Sequence, residues 1–277
     1  MSAPRPLVEQ SGAEPGNLDA CAGGLHTPAE IRLDPIAILA HVGTISVADA
    51  RAATHTASVE PDERPPACCF DEWASHNAER ARKRGTAAPI TRHLLAALET
   101  QGLEDKTVLD LGCGTGDLAL AALARGAASA DGIDLGAGAI EDARSLAEER
   151  GLADRATFSV GNGAVDPLAR HDVVALNRVL CCYPSVDRLL ANSLGAASDV
   201  YAYTAPVHTG LVGLFNRISI GVGNAWYRLR DRKFQGFRAF VHDLDAVDRT
   251  IAAAGFRKAH AAHHRVWQLA TFTRTDV

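Results

Sequence analysis

Nine residues restrict the fold more than any other part of the chain: Val108-Leu109-Asp110-Leu111-Gly112-Cys113-Gly114-Thr115-Gly116. An apolar run ends in three glycines at alternating positions. An apolar, alanine-rich helical stretch, Leu118 to Leu123, follows. This order spells a buried strand, a tight turn and a helix start. Glycines remove Cβ atoms, so a ligand can lie against the backbone, with free N–H groups at the helix start facing it. A second strand-like run, Ala128 to Ile133, ends at Asp134, 18 residues past Gly116. A carboxylate at the tip of a second strand can accept both hydrogens of a ribose diol.

The dinucleotide fingerprint wants glycine or alanine three residues after its second glycine, and this chain has Asp117 there. No Gly-Lys-Ser/Thr phosphate loop occurs. The pattern hydrophobic-Asp-Leu-Gly-Cys-Gly-Thr-Gly, with an acid after strand two, resembles the class I S-adenosylmethionine-dependent methyltransferases. The resemblance runs from about Phe70 to Thr273, specific in the cofactor half and loose in the acceptor half. It implies a Rossmann-like α/β fold, a seven-stranded, mostly parallel sheet with an antiparallel last strand. It implies S-adenosylmethionine as cofactor, with Asp110, Gly112, Cys113, Gly114 and Gly116 at the methionine end. Asp134 and Leu135 lie at the ribose.

Charge and proline divide the chain. Residues 1–66 hold four Arg, no Lys and nine Asp or Glu, the whole of the net charge of −5, and eight of the 12 prolines. They are expected to be an N-terminal extension, partly disordered at best. Residues 67–277 then form the methyltransferase domain. With a net charge of −5 and a pI of about 6.1, no bulk nucleic-acid binding is expected of the chain. The N-terminus lacks a basic region followed by an apolar stretch, and the longest apolar run, Ile36 to Ala48, is broken by His41. A cytoplasmic protein with reduced thiols is therefore expected. The vicinal pairs Cys68-Cys69 and Cys181-Cys182 lack the two-residue spacers of zinc sites, so no metal is expected.

From Phe70 a helical face carries Phe70, Trp73 and Asn77, and a second helix starts at Pro89. Strands are expected at 107–112, 129–134, 155–160, 172–177 and 199–204. Helices are expected at 116–125, 137–150, 185–197 and 243–254, the last with Asp243 as N-cap. Strands at 256–262 and 265–273 close the sheet as an antiparallel pair. Such alternation builds a parallel sheet covered on both faces, with ligands beyond the strand tips.

The resemblance assigns the remaining positions. After strand three, Asn162 of Gly161-Asn162-Gly163 stands where relatives place an acid for the adenine amino group, and Gly163 follows it. After strand four, Asn177 and Arg178 sit beside the cofactor, and Tyr183 orients or polarises the acceptor. His208 and His242 are the candidate bases, should a hydroxyl acceptor need one. Phe70 and Trp73 either cover the pocket or only pack on the sheet.

The insert 209–242 has six cations, Arg217, Arg228, Arg230, Arg232, Lys233 and Arg238, against Asp231. It carries apolar residues at helical spacing, then Trp226, Tyr227, Phe234, Phe237 and Phe240. Three readings stay open. It is a lid over a flat, anionic acceptor touched by Trp226, Tyr227, Arg228 and Arg230; an amphipathic surface meeting a membrane; or a helical hairpin with solvated arginines. The first makes the protein a methyltransferase of a small, apolar, ringed and anionic molecule, with a faint likeness to the magnesium-protoporphyrin methyltransferases. The alternative is a cofactor-binding protein of the same fold that transfers no methyl group.

Overall fold

The computed structural model describes residues 87–230 and 238–275. The expected helix from Phe70, the boundary at 66/67 and the second part of the insert, 231–237, lie outside them.

Seven strands form one sheet in the order β3-β2-β1-β4-β5-β7-β6. They are β1 (Thr107–Leu111), β2 (Ser129–Asp134), β3 (Ala156–Val160), β4 (His171–Asn177), β5 (Ala197–Pro206), β6 (Phe256–His264) and β7 (Trp267–Arg274). The first five pair in parallel, and β7 runs antiparallel to both neighbours, β5 and β6. The expected fold class holds, with β7 inserted between β5 and β6.

The helices are α1 (Pro89–Glu99), α2 (Asp117–Leu123), α3 (Ala137–Glu149), α4 (Asp187–Ala196), α5 (Gly210–Arg230) and α6 (Leu244–Ala253). Side chains alternate across the pleat, which makes two cores. Val108, Val173, Ala175 and Val200 pack against α1, α2 and α3 on one face. Leu109, Leu111, Val174, Leu176 and Tyr201 pack against α4 and α6 on the other. Strands buried on both faces explain the unbroken apolar run Val173–Leu176 of β4 and the apolar residues on both sides of Asp110 in β1. Each fully buried large side chain, such as Leu94, Leu95 or Phe272, contributes about 1.5–3 kcal/mol of burial free energy.

Two local rules set the ends of elements near the site. Pro89 opens α1, where its missing N–H costs nothing. Asp243 caps α6 as expected, its Oδ1 accepting from the N–H groups of Asp245 and Ala246. The described part of the insert begins with a 21-residue helix, α5. No described helix is long and apolar enough to cross a membrane.

Candidate functional site

A cavity of about 490 Å3 lies beyond the carboxyl ends of β1, β2, β4 and β5, within the range for one drug-sized ligand. Its floor is the glycine turn, of which Gly112, Cys113, Gly114 and Thr115 line the cavity and Gly116, packed towards Phe158, does not. Gly112, Gly114 and Gly116 all have left-handed backbone, φ 68°, 53° and 75°. A Cβ on Gly112 would come within 2.5 Å of Val179 Cγ2, whereas one on Gly114 would meet no atom within 4 Å. The turn thus closes tightly against the β4 loop at its start and opens to the cavity in its middle.

Several N–H groups of this turn are bonded within the protein. Gly112 and Cys113 N–H both donate to Ile133 O, at 2.7 and 3.1 Å. Gly114 N–H donates to Asp134 Oδ2 at 2.9 Å. At the start of α2, Ala119 N–H donates to Asp110 Oδ2 at 3.2 Å. A helix start that often receives a phosphate here receives a carboxylate of the chain itself. Asp110, Asp117 and Asp134 all line the cavity. The residue types therefore favour a cationic ligand over a phosphate.

Asp110 is 1% exposed. Burial raises its pKa to about 8; the charges of Asp117 and Asp134 add to the rise, and the Ala119 bond and Arg178 oppose it. Two buried oxygens, Asp110 Oδ1 and Asp117 Oδ1, have no hydrogen-bond partner among the described residues. Sequence reasoning missed Asp117 as a site residue, using it only to exclude dinucleotides. Its Oδ2 accepts from Ala88 N–H at 3.0 Å and from the Thr91 hydroxyl at 3.1 Å.

Thr91 begins a buried chain that links four elements. Asn177 Nδ2 donates to Thr91 Oγ1 at 3.0 Å, and Thr204 Oγ1 donates to Asn177 Oδ1 at 2.9 Å. Thr204 Oγ1 in turn accepts from Arg178 N–H at 2.8 Å. Arg178 is left-handed, φ 64°, at the strand end where the chain turns under the cavity. Asn177 and Arg178 line the cavity as expected. Asn177's amide is committed to this chain, which ties α1 to the ends of β4 and β5.

Around the rim, Leu135, Gly161, Gly163 and Cys113 line the cavity. Asn162 does not. Its Oδ1 accepts from Ala164 N–H at 3.1 Å and from the Tyr183 hydroxyl at 3.3 Å. The acceptor expected to face the cofactor is thus turned into its own loop. Tyr183 lines the cavity, and burial raises its pKa to about 12, with Cys182, Asp134 and Asp166 adding to the rise. It stays a neutral phenol at neutral pH.

The two candidate bases are elsewhere. His242 Nε2 bridges the carbonyls of Leu180 and Tyr183 at 2.9 and 3.0 Å. Burial lowers its proton affinity. It braces the short 3-10 turn Leu180–Cys182, which carries Cys181 and Cys182 in the cavity wall. His208 Nε2 lies 3.6 Å from both Asp243 and Asp245 carboxylates. Neither histidine lines the cavity. His242 faces two carbonyls of the chain, and His208 faces the Asp243 and Asp245 carboxylates through Nε2 while its buried Nδ1 has no partner among the described residues.

On the acceptor side, Tyr227 lines the cavity, whereas Trp226 and Arg228 are exposed on α5. Phe70, Trp73 and the Arg230 side chain fall outside the described residues. Asn216 and Asn224, missed in the sequence, fix α5 over the cavity. Asn216 Nδ2 donates to the carbonyls of Val207 and Val266 at 2.8 and 2.9 Å. Asn224 pairs with both backbone groups of Ala239, at 2.8 and 2.9 Å. The helical spacing of apolar residues in this stretch drew attention away from both.

The strand order, the glycine turn and the acid at the tip of β2 define the class I S-adenosylmethionine-dependent methyltransferase fold. Comparison with known proteins narrows the likeness. Residues 85–182 match the family described as ribosomal protein L11 methyltransferase (PrmA). The protein of that name from Enterobacter sp. (strain 638) is 38% identical over 126 residues, 46% of this chain and 39% of that one. The one from Erwinia tasmaniensis is 33% identical over 147 residues, 51% and 50%. The chain spans half or less of the length of these relatives. Among solved structures, magnesium protoporphyrin IX methyltransferase from Synechocystis PCC 6803 with bound S-adenosylhomocysteine aligns with a TM-score of 0.55. It is 21% identical and covers 67% of this chain and 82% of that one. An O-methyltransferase family 2 protein from Planctomyces limnophilus reaches 0.55 at 19%, covering 74% and 62%. These two likenesses concern the fold alone.

One expectation falls. A small-molecule acceptor was read from the basic, aromatic insert, but the relatives that share the cofactor half are named for a protein substrate. Arg217 and Arg228 lie on an exposed helix surface instead of in the cavity lining.

Proposed function

We propose that the chain is an S-adenosylmethionine-dependent methyltransferase whose acceptor is a protein side chain or terminus. The observation that carries the reading is the cavity over the glycine turn, with Asp110, Asp117 and Asp134 around it. Its carboxylates fit a cofactor that is cationic at sulfur and at its amino group. The unpartnered Oδ1 atoms of Asp110 and Asp117 suit the cation, and Asp134, at the tip of β2, suits a ribose diol. The Gly114 backbone leaves room for close approach.

When bound, S-adenosylmethionine supplies a methyl group already activated on sulfur, so in-line placement of the acceptor supplies most of the rate. The chain's own residues do the placing. The Thr91–Asn177–Thr204 hydrogen bonds fix the strand ends, and His242 holds the Leu180–Cys182 wall. Tyr183 offers a neutral hydroxyl. The relatives' names support a protein as acceptor. A cavity sized for one ligand supports it too, since an acceptor reaching a filled cavity inserts only a side chain.

Incubating the full chain with methyl-labelled cofactor and a ribosomal-protein fraction tests this. Label migrating with a protein band is the expected result. Label appearing only in small molecules of a whole-cell extract would refute the acceptor class.

A further inference from the structure

Helix α5 is mounted with its apolar side outward. Asn216, Ser219, Gly223, Asn224 and Tyr227 recur at helical spacing and face the cavity. The opposite side carries Leu211, Phe215, Ile218, Val222 and Leu229, again at spacings of three, four and seven, and all five are exposed. Leu211 and Leu229 are 87% and 80% exposed. Isolated surface apolar residues are ordinary, but this stripe runs the length of a 21-residue helix, about 30 Å.

Charge selects what meets the stripe. The helix contains Arg217, Arg228 and Arg230 and no Asp or Glu. Arg217 and Arg228 are eleven residues, three turns, apart and therefore lie along one edge of the stripe. A second copy, packed helix on helix, would set like charges together. An anionic lipid surface complements both features, taking the apolar stripe between headgroups and the guanidinium groups at their phosphates. The helix is not apolar enough to span a bilayer, so it would lie on it.

We propose that α5 is a docking element for anionic lipid surfaces, stripe down, with the cavity directly above the headgroups. This does not depend on methyl transfer or on the acceptor.

Vesicle sedimentation of the full chain tests it, with phosphatidylglycerol–phosphatidylcholine vesicles against phosphatidylcholine alone. The chain should sediment with the anionic vesicles at low salt and be released by added salt. Arg217→Gln with Arg228→Gln should lower partitioning about twenty-five-fold, roughly five-fold per arginine. Ile218→Asp should abolish it. Both variants replace exposed side chains, and an unchanged melting temperature confirms that they remain folded. Failure of the wild type to bind at low salt would overturn the proposal. So would equal binding by either variant, or a dimer in solution that Ile218→Asp splits, which would make the stripe a self-interface.

Discussion

Replacing Asp110 by Asn should remove a pH dependence from cofactor binding. The Asp110 carboxyl sits at about 8 because it is buried, with Asp117 and Asp134 nearby. At neutral pH it is therefore mostly protonated in the free protein. A cationic ligand binds the ionised form, so binding must release that proton. Affinity should then rise by up to tenfold per pH unit, about 1.4 kcal/mol each, until pH passes about 8. Between about pH 5.5 and 7.5 the cofactor's own amino group stays largely charged, which isolates the effect. Over that window the wild type should gain up to about a hundredfold, and Asp110→Asn should stay flat. Stability should show the opposite slope. The folded state keeps a proton that the unfolded chain releases above 3.8, so Asp110 lowers stability as pH climbs from there towards 8, and the trend levels beyond. Titration calorimetry across the window reads the first effect and urea unfolding the second. A flat wild-type affinity, or an equal slope in Asp110→Asn, would refute the reasoning.

Other outcomes follow from particular contacts. Gly112→Ala meets both a left-handed backbone and a Cβ 2.5 Å from Val179, and should cost at least about 2 kcal/mol in urea unfolding. Adding Val179→Ala should return part of that loss. His242→Ala leaves the Leu180 and Tyr183 carbonyls without their donor, and should cost about 1–3 kcal/mol while weakening cofactor binding. We propose that a chain starting at Ala67 stays folded and binds cofactor. A melting temperature far below that of the full chain would place residues 1–66 within the fold.

The architecture was legible because the β/α alternation is strongly periodic. Every strand began and ended within two residues of its expected position, β5 running two residues further at each end, where Pro206 continues the pairing with Trp267. The cofactor floor was legible for a similar reason, since the turn chemistry is local and needs glycine at fixed spacing. The rest depends on contacts across the chain. Nothing in the spacing told that Thr91, 86 residues before Asn177, would share its hydrogen bonds. Asn162 looked available because its partners, Tyr183 and Ala164, are set by how two loops fold together. His208 and His242 sit near the cavity in sequence order, but a ring's direction is a tertiary property. The insert misled most: a basic, aromatic composition does not say which face of a helix points inward, and α5 turns its polar face to the cavity.

The most direct measurement is calorimetric titration of the folded full chain with S-adenosylmethionine and S-adenosylhomocysteine, repeated on Asp134→Ala. Binding of both by the wild type is expected, with a loss of about 1.5–3 kcal/mol in the variant, the worth of hydrogen bonds to a charged acceptor. Absence of binding for both ligands, on protein shown to be folded, would contradict the account.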